Sequence, residues 1–187
     1  MARPLSDDKR QAILDGAIRV IAAQGLSAPT AAIAKTAGVA NGSLFTYFAT
    51  KADLWNALYV DLKTEMAAAA GHGLAHTEPK PALQLALSGW LGWAIDHPDR
   101  RRVLALLGTA DEITPESMRA GHVLMAPLAA LVDRCRANGP MREVSLGFVA
   151  ALMTATAEAT IDFIRQDPLH AELHARNGFE AIWRMIA

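Results

Sequence analysis

Apolar residues recur at helical spacing along nearly the whole chain, and no segment alternates with the period of a strand. The first stripe is Ile13, Ala17, Val20 and Ile21. Ser6-Asp7-Asp8-Lys9 opens it with a capping serine and two acids at the positive end of the dipole, and Gln24-Gly25 closes it. The stretch from Thr30 to Lys51 then divides into two short helices. Ala31, Ala32, Ile33, Ala34 and Ala37 form one, and Gly38 takes the left-handed conformation that ends it. Val39 fills the corner, and Gly42 to Phe48 form the second, with Leu44 and Phe48 on one face. Thr50 caps a long helix from about Lys51 to Ala70, whose inner face carries Leu54, Trp55, Leu58, Leu62 and Met66. After a Gly- and Pro-rich connection from His72 to Pro81, the pattern predicts helices over Ala82 to Asp96 and Arg100 to Ala110. A further helix opens at Thr114-Pro115-Glu116 and kinks at Pro127. The most apolar one runs from Pro140 or Met141 to Arg165. A last one follows Asp167-Pro168, with Asn177-Gly178 as a candidate interruption. The expected fold is all-α, a bundle of about nine helices with short connections.

Two short helices joined by a glycine-containing turn make a helix-turn-helix, the arrangement most often used to read DNA. Such helices are too short to be stable alone, and the amphipathic helix before Thr30 supplies the third that the motif needs. Charge agrees with this placement. Residues 1–60 hold six Lys/Arg and four Asp/Glu, and the remaining 127 hold twelve and fifteen. The asymmetry supports a nucleic-acid-facing N-terminal part, and a net charge of -1 excludes coating of polyanions by bulk charge. A hydrophobic content of 52% with 6% aromatic residues favours helices throughout.

Other chemistries are thinly represented. Cys135 is the one cysteine, which excludes an internal disulfide, and its neighbours Arg134 and Arg136 make it a candidate low-pKa thiol. His72/His76 and His170/His174 have i, i+4 spacing but no third ligand, so they read as solvated side chains, and no metal or cofactor is expected. None of the GxSxG, HExxH, GxGxxG or P-loop patterns occurs, and an enzyme is not expected. Residues 1–25 are charged and amphipathic rather than a signal peptide. Leu146 to Ile164 contains Glu158, Asp162 and three threonines, and so reads as a buried helix and not a membrane span. The expected protein is soluble and cytoplasmic.

Ile33-Ala34, Ala37-Gly38-Val39, Gly42-Ser43-Leu44-Phe45, Tyr47-Phe48, Lys51 and Leu54 stand in an order that resembles the TetR family of bacterial transcriptional regulators, over roughly residues 8 to 58. Beyond residue 60 the resemblance is one of architecture. It implies a homodimer whose larger C-terminal bundle binds a small effector and thereby alters affinity for a palindromic operator. The chain departs from the family pattern at Pro29, where Thr is usual, at Ala31 and Ala32, at Ala40 in place of a capping Ser, and at Phe45 in place of Tyr. The DNA-facing candidates are Thr30, Lys35, Asn41, Ser43, Thr46, Tyr47 and Lys51, with Arg3 on an N-terminal arm. Asn41 suits adenine and Thr46 a thymine methyl, while Tyr47 and Lys51 suit phosphates.

Residues 1–50 are therefore expected to bind DNA, and residues 51–187 to dimerise and hold a ligand. Trp90, Trp93, Leu104, Leu107, Met118, His122, Met125, Phe148, Leu152 and Thr156 are the candidate lining of a pocket for an apolar or aromatic effector. Phe148, Ala151, Ala155, Ala159, Phe163, Phe179, Ile182 and Trp183 are the candidate subunit interface, on helices that the resemblance places in an intersubunit bundle. The function this implies is a repressor released by its effector. The competing reading is a dimeric ligand-binding or scaffold protein of the same fold with weakened DNA binding, suggested by the alanines at 31, 32 and 40.

Overall fold

The computed structural model describes residues 6–75 and 77–187. Nine α-helices and two short 3-10 turns account for the regular structure among them, with no strand. In chain order the helices are α1 (Asp7–Gln24), α2 (Thr30–Thr36), α3 (Asn41–Tyr47), α4 (Lys51–Ala70), α5 (Pro79–Asp96), α6 (Pro98–Leu107), α7 (Pro115–Arg136), α8 (Leu146–Gln166) and α9 (Ala171–Ile186). They gather into two compact units. The first comprises the described residues up to Lys63 with His97–His122, and the second Thr64–Asp96 with Val123–Ala187.

In the first unit α1 lies against α2 and α6, and α2 against α3. Ile13, Leu14, Ile21, Ile33, Leu44, Leu54, Trp55, Leu58 and Leu107 are fully buried there and form its core. Small residues set the closest approach: a Cβ on Gly16 of α1 would lie 3.0 Å from that of Ala37. The junction into α4 is fixed by a reciprocal cap. Thr50 Oγ1 accepts from the Asp53 amide at 3.0 Å, and the Asp53 carboxylate accepts from the Thr50 amide at 2.9 Å. Thr114 caps α7 in the same way, accepting from the Ser117 amide at 3.2 Å.

In the second unit α5 contacts α8 and α9, and α8 runs along α9. Leu83, Leu131, Val149, Ile161, Ile182 and Ile186 close its core. α9 is continuous through Asn177-Gly178. The glycine serves close packing, because a Cβ at Gly178 would sit 2.2 Å from Thr160 Oγ1 on α8. α7 likewise runs through Pro127. α8 starts at Leu146 with Ser145 as its cap, later than the Pro140 or Met141 expected from the pattern. The reason is a side chain: Arg136 donates to the carbonyls of Met141, Arg142 and Val144 and holds those residues in turns.

One expectation about α8 fails within a single chain. Val149, Ala157, Thr160, Ile161 and Ile164 are buried, but Phe148 and Phe163 are 56% and 58% exposed, with Ala151, Ala155 and Ala159 exposed between them. The helix therefore buries one face and leaves an apolar stripe open. Among the described residues it is the one helix long and apolar enough to cross a membrane by length and composition.

Candidate nucleic-acid interface

Why α2 and α3 meet as they do follows from their sequence. Gly38, at φ 69°, turns the chain after α2, and its amide and that of Val39 return to the carbonyls of Lys35 and Ala34 at 3.2 and 3.0 Å. Ala40 is the N-cap of α3 and makes no side-chain cap, nor does Pro29 ahead of α2. Asn41 does not take over the missing cap of α3. α3 is held instead by its inner face, where Leu44 is fully buried and Phe48 is 4% exposed. Arg10 lies over the Phe48 ring at 5.6 Å.

The opposite face of α3 is open. Asn41, Gly42, Phe45 and Thr46 are all exposed, while Ser43 and Tyr47 are half-buried at its flanks. Thr46 Oγ1 donates to the Gly42 carbonyl at 3.3 Å. Ser6 also departs from expectation. Its side chain caps nothing, and its backbone N–H donates to the Tyr47 hydroxyl at 3.2 Å, tying the start of α1 to the end of α3. Lys35 is exposed at the end of α2, and Thr30 is half-buried at its start. Lys51 lies with Nζ 5.2 Å from the Trp55 ring centroid, which positions its ammonium at the start of α4. Arg19, which the sequence reading passed over, donates to the Thr36 carbonyl at 3.2 Å and fastens the end of α2. No acidic residue occurs between Asp15 and Asp53, whereas Arg19, Lys35 and Lys51 do. The seven DNA-facing candidates thus all lie in the first unit, on or beside the two short helices. Arg3 lies outside the described residues. Phe45, absent from those candidates, shares the open face; its i, i+4 relation to Asn41, away from Leu44, was the available signal.

The ligand candidates divide between the units. Leu104, Leu107, Met118 and His122 belong to the first, where Leu104 and Leu107 are core residues and Met118 and His122 are exposed. Trp90, Trp93, Met125, Phe148, Leu152 and Thr156 belong to the second. Trp93 is buried and its indole N–H donates to Glu65 Oε2 at 3.3 Å, whereas Trp90, Met125, Leu152 and Thr156 are half-buried.

Of the interface candidates, Phe179 and Ile182 are buried in their own chain, at 4% and 1% exposure. Trp183 is half-buried, stacked on Phe179 and covered by Lys80, which also pairs with Glu180 at 3.0 Å. The other five are the open stripe of α8. Cys135 is not an activated thiol. Burial pushes its pKa up against the opposing pull of Arg134, and Sγ faces the Pro79 carbonyl at 3.5 Å. His170 is exposed and His174 half-buried, and both bond the Asp167 carboxylate, at 2.9 and 3.1 Å. His76 lies outside the described residues, which leaves the other pair undescribed.

Residues 13–58 match the family model for bacterial regulatory proteins, tetR family. Solved structures share the fold over nearly the full length. A tetR family transcription regulator from Shewanella sp. PV-4 is 24% identical, with 94% of this chain and 96% of that one covered at a TM-score of 0.82. One from Marinobacter aquaeolei VT8 is 20% identical over 97% and 96%, at a TM-score of 0.85. The TetR-like regulator LfrR from Mycobacterium smegmatis, solved in complex with proflavine, is 19% identical over 97% and 98%, at a TM-score of 0.70.

Proposed function

We propose that this chain, a member of the TetR family by its residues 13–58 and with the fold of that family's regulators throughout, is a repressor that leaves a palindromic operator when a small molecule binds. The observation that carries this reading is the two-faced α3. Its inner face is closed by Leu44 and Phe48, and its outer face is open at four positions, with Lys35 in the helix before it and Lys51 in the helix after it. Such a helix is stable without its outer residues, which are free to enter a major groove. Residues 1–50 bind the DNA, through Thr30, Lys35, Asn41, Ser43, Thr46, Tyr47 and Lys51. Residues 51–187 dimerise and hold the effector.

The open stripe of α8 supports the homodimer. Phe148, Ala151, Ala155, Ala159 and Phe163 form a continuous apolar face, and a second copy related by a two-fold axis covers it. Two subunits then present two recognition helices about one DNA turn apart. The effector is apolar or aromatic, and Trp90, Trp93, Met125, Leu152 and Thr156 of the second unit are its candidate contacts. The planar proflavine bound by the similar LfrR supports that class. Release follows when the effector prefers the conformation that fits the operator less well. The chain is a cytoplasmic binding protein and not an enzyme.

The absence of any charged residue from α3 favours a second reading, a dimeric ligand-binding or scaffold protein of this fold with weakened DNA binding. A gel-shift titration against the DNA flanking the coding region separates the two. The regulator shifts this DNA at low salt and loses the shift on Tyr47→Ala or Lys51→Ala. No shift at any salt would sink it in favour of the scaffold.

A further inference from the structure

We propose that the outer face of α3 selects thymine methyl groups, with Phe45 as the specificity-determining side chain. The proposal rests on the DNA-binding reading above and names what that surface reads. In the major groove the commonest specific contact is Arg or Lys to guanine, and α3 has neither. Its one side-chain amide is Asn41, whose geometry suits adenine. Thr46 has its hydroxyl proton committed to the Gly42 carbonyl, so it presents a methyl group and an acceptor oxygen outward. Phe45 offers no polar atom at all, yet its ring is 42% exposed on a helix whose neighbouring Leu44 is fully buried.

Gly42 completes the surface. It stands on the same face, three residues before Phe45, and a Cβ there would meet nothing within 4 Å. Nothing inside the chain excludes a side chain, although glycine is less favourable than alanine in a helix. The missing Cβ leaves that part of the face open, so no side chain at 42 stands in the way of a base approaching Phe45. The thymine C5-methyl is the apolar feature that distinguishes one base pair from another in that groove. An apolar ring and an adenine-reading amide both fit A·T pairs, whereas a face without cations or carboxylates has little for G·C pairs.

Random double-stranded DNA, enriched by rounds of binding to the purified full chain, yields the preferred half-site. The enriched DNA is then remade with uracil in place of each thymine in turn, which removes the methyl and keeps every hydrogen-bonding group. Losing one buried methyl contact weakens binding about fourfold, and about fifteenfold when both halves of a palindrome are changed. The expected result is such a loss at one or more thymines in the wild type, and none at the same positions in Phe45→Ala. Phe45→Leu should restore part of it. Circular dichroism should show both variants folded, since the ring is not part of the core. If a sequence is enriched but uracil costs nothing, or costs Phe45→Ala as much as the wild type, methyl reading is wrong while DNA binding stands. If no sequence binds at any salt, the regulator reading fails and this one with it.

Discussion

Gly178 provides the sharpest quantitative test of the packing. Its missing side chain lets α9 approach α8, where a Cβ would lie 2.2 Å from Oγ1, 2.9 Å from Cγ2 and 3.1 Å from Cβ of Thr160. Thr160 cannot swing clear cheaply, being 7% exposed with its hydroxyl donated to the Thr156 carbonyl at 2.8 Å. Overpacking of this kind costs about 1–3 kcal/mol, while alanine in a helix interior recovers about 1 kcal/mol relative to glycine. Gly178→Ala should therefore destabilise the protein by about 1 kcal/mol net. In a Thr160→Ala background Oγ1 and Cγ2 are gone and only the Cβ at 3.1 Å remains, so the same substitution should stabilise it by up to about 1 kcal/mol. The coupling of about 2 kcal/mol is well above the scatter expected of independent sites. Urea unfolding at one fixed protein concentration measures all four corners of the cycle, with an unchanged m-value as the check that only stability moved. If Gly178→Ala raises the midpoint equally in both backgrounds, the two helices do not approach closely here and the reasoning is refuted.

Three further outcomes follow from residues outside that contact. Lys35→Ala should reduce the slope of log affinity against log salt by about 0.9 per subunit, read by fluorescence anisotropy at several salt concentrations; an unchanged slope removes Lys35 from the phosphate contacts. The pair Phe148→Glu and Phe163→Glu puts like charges on the open stripe of α8 and should give a monomer of unchanged helicity in sedimentation velocity, whereas a persisting dimer would place the interface elsewhere. Asp167 is held below its usual carboxylate value of 3.8 by hydrogen bonds from His174 and His170. Because the folded pKa is the lower one, its stabilising contribution is present above that value and is lost as pH falls through the folded pKa. The difference in urea midpoint between wild type and Asp167→Asn should thus shrink below about pH 4, and a gap independent of pH would rule the linkage out.

Local signals carried most of the fold. Gly38 turns the chain where a glycine was required, and Thr50 and Thr114 cap the helices that follow them. Such features depend on residues within a few positions of each other. What misled the pattern depended on side-chain partners that periodicity does not show. Pro140 or Met141 offered a helix start after Gly139, but Arg136 donates to the carbonyls of Met141, Arg142 and Val144 and α8 begins at Leu146. Asn177-Gly178 looks like a break until Thr160 is placed opposite it. Phe179 and Ile182 read as interface residues because periodicity shows that a face is covered, but not by which chain. The open face of α3 was only half legible for a related reason. Polar side chains announce themselves as contacts, whereas exposed Phe45 resembles a core residue until the buried side of α3 is known.

The division of labour within α3 has a consequence for how such a protein diverges. Leu44 and Phe48 hold the helix in place, and Asn41, Gly42, Phe45 and Thr46 are exposed on its other face. Substitutions at those four positions leave the core intact, and surface changes of that sort usually alter stability by less than about 0.5 kcal/mol. Under the proposed function, duplicated copies of the gene drift to new operators through these positions, and selection on the recognised sequence and selection on the ability to fold act on separate sets of residues.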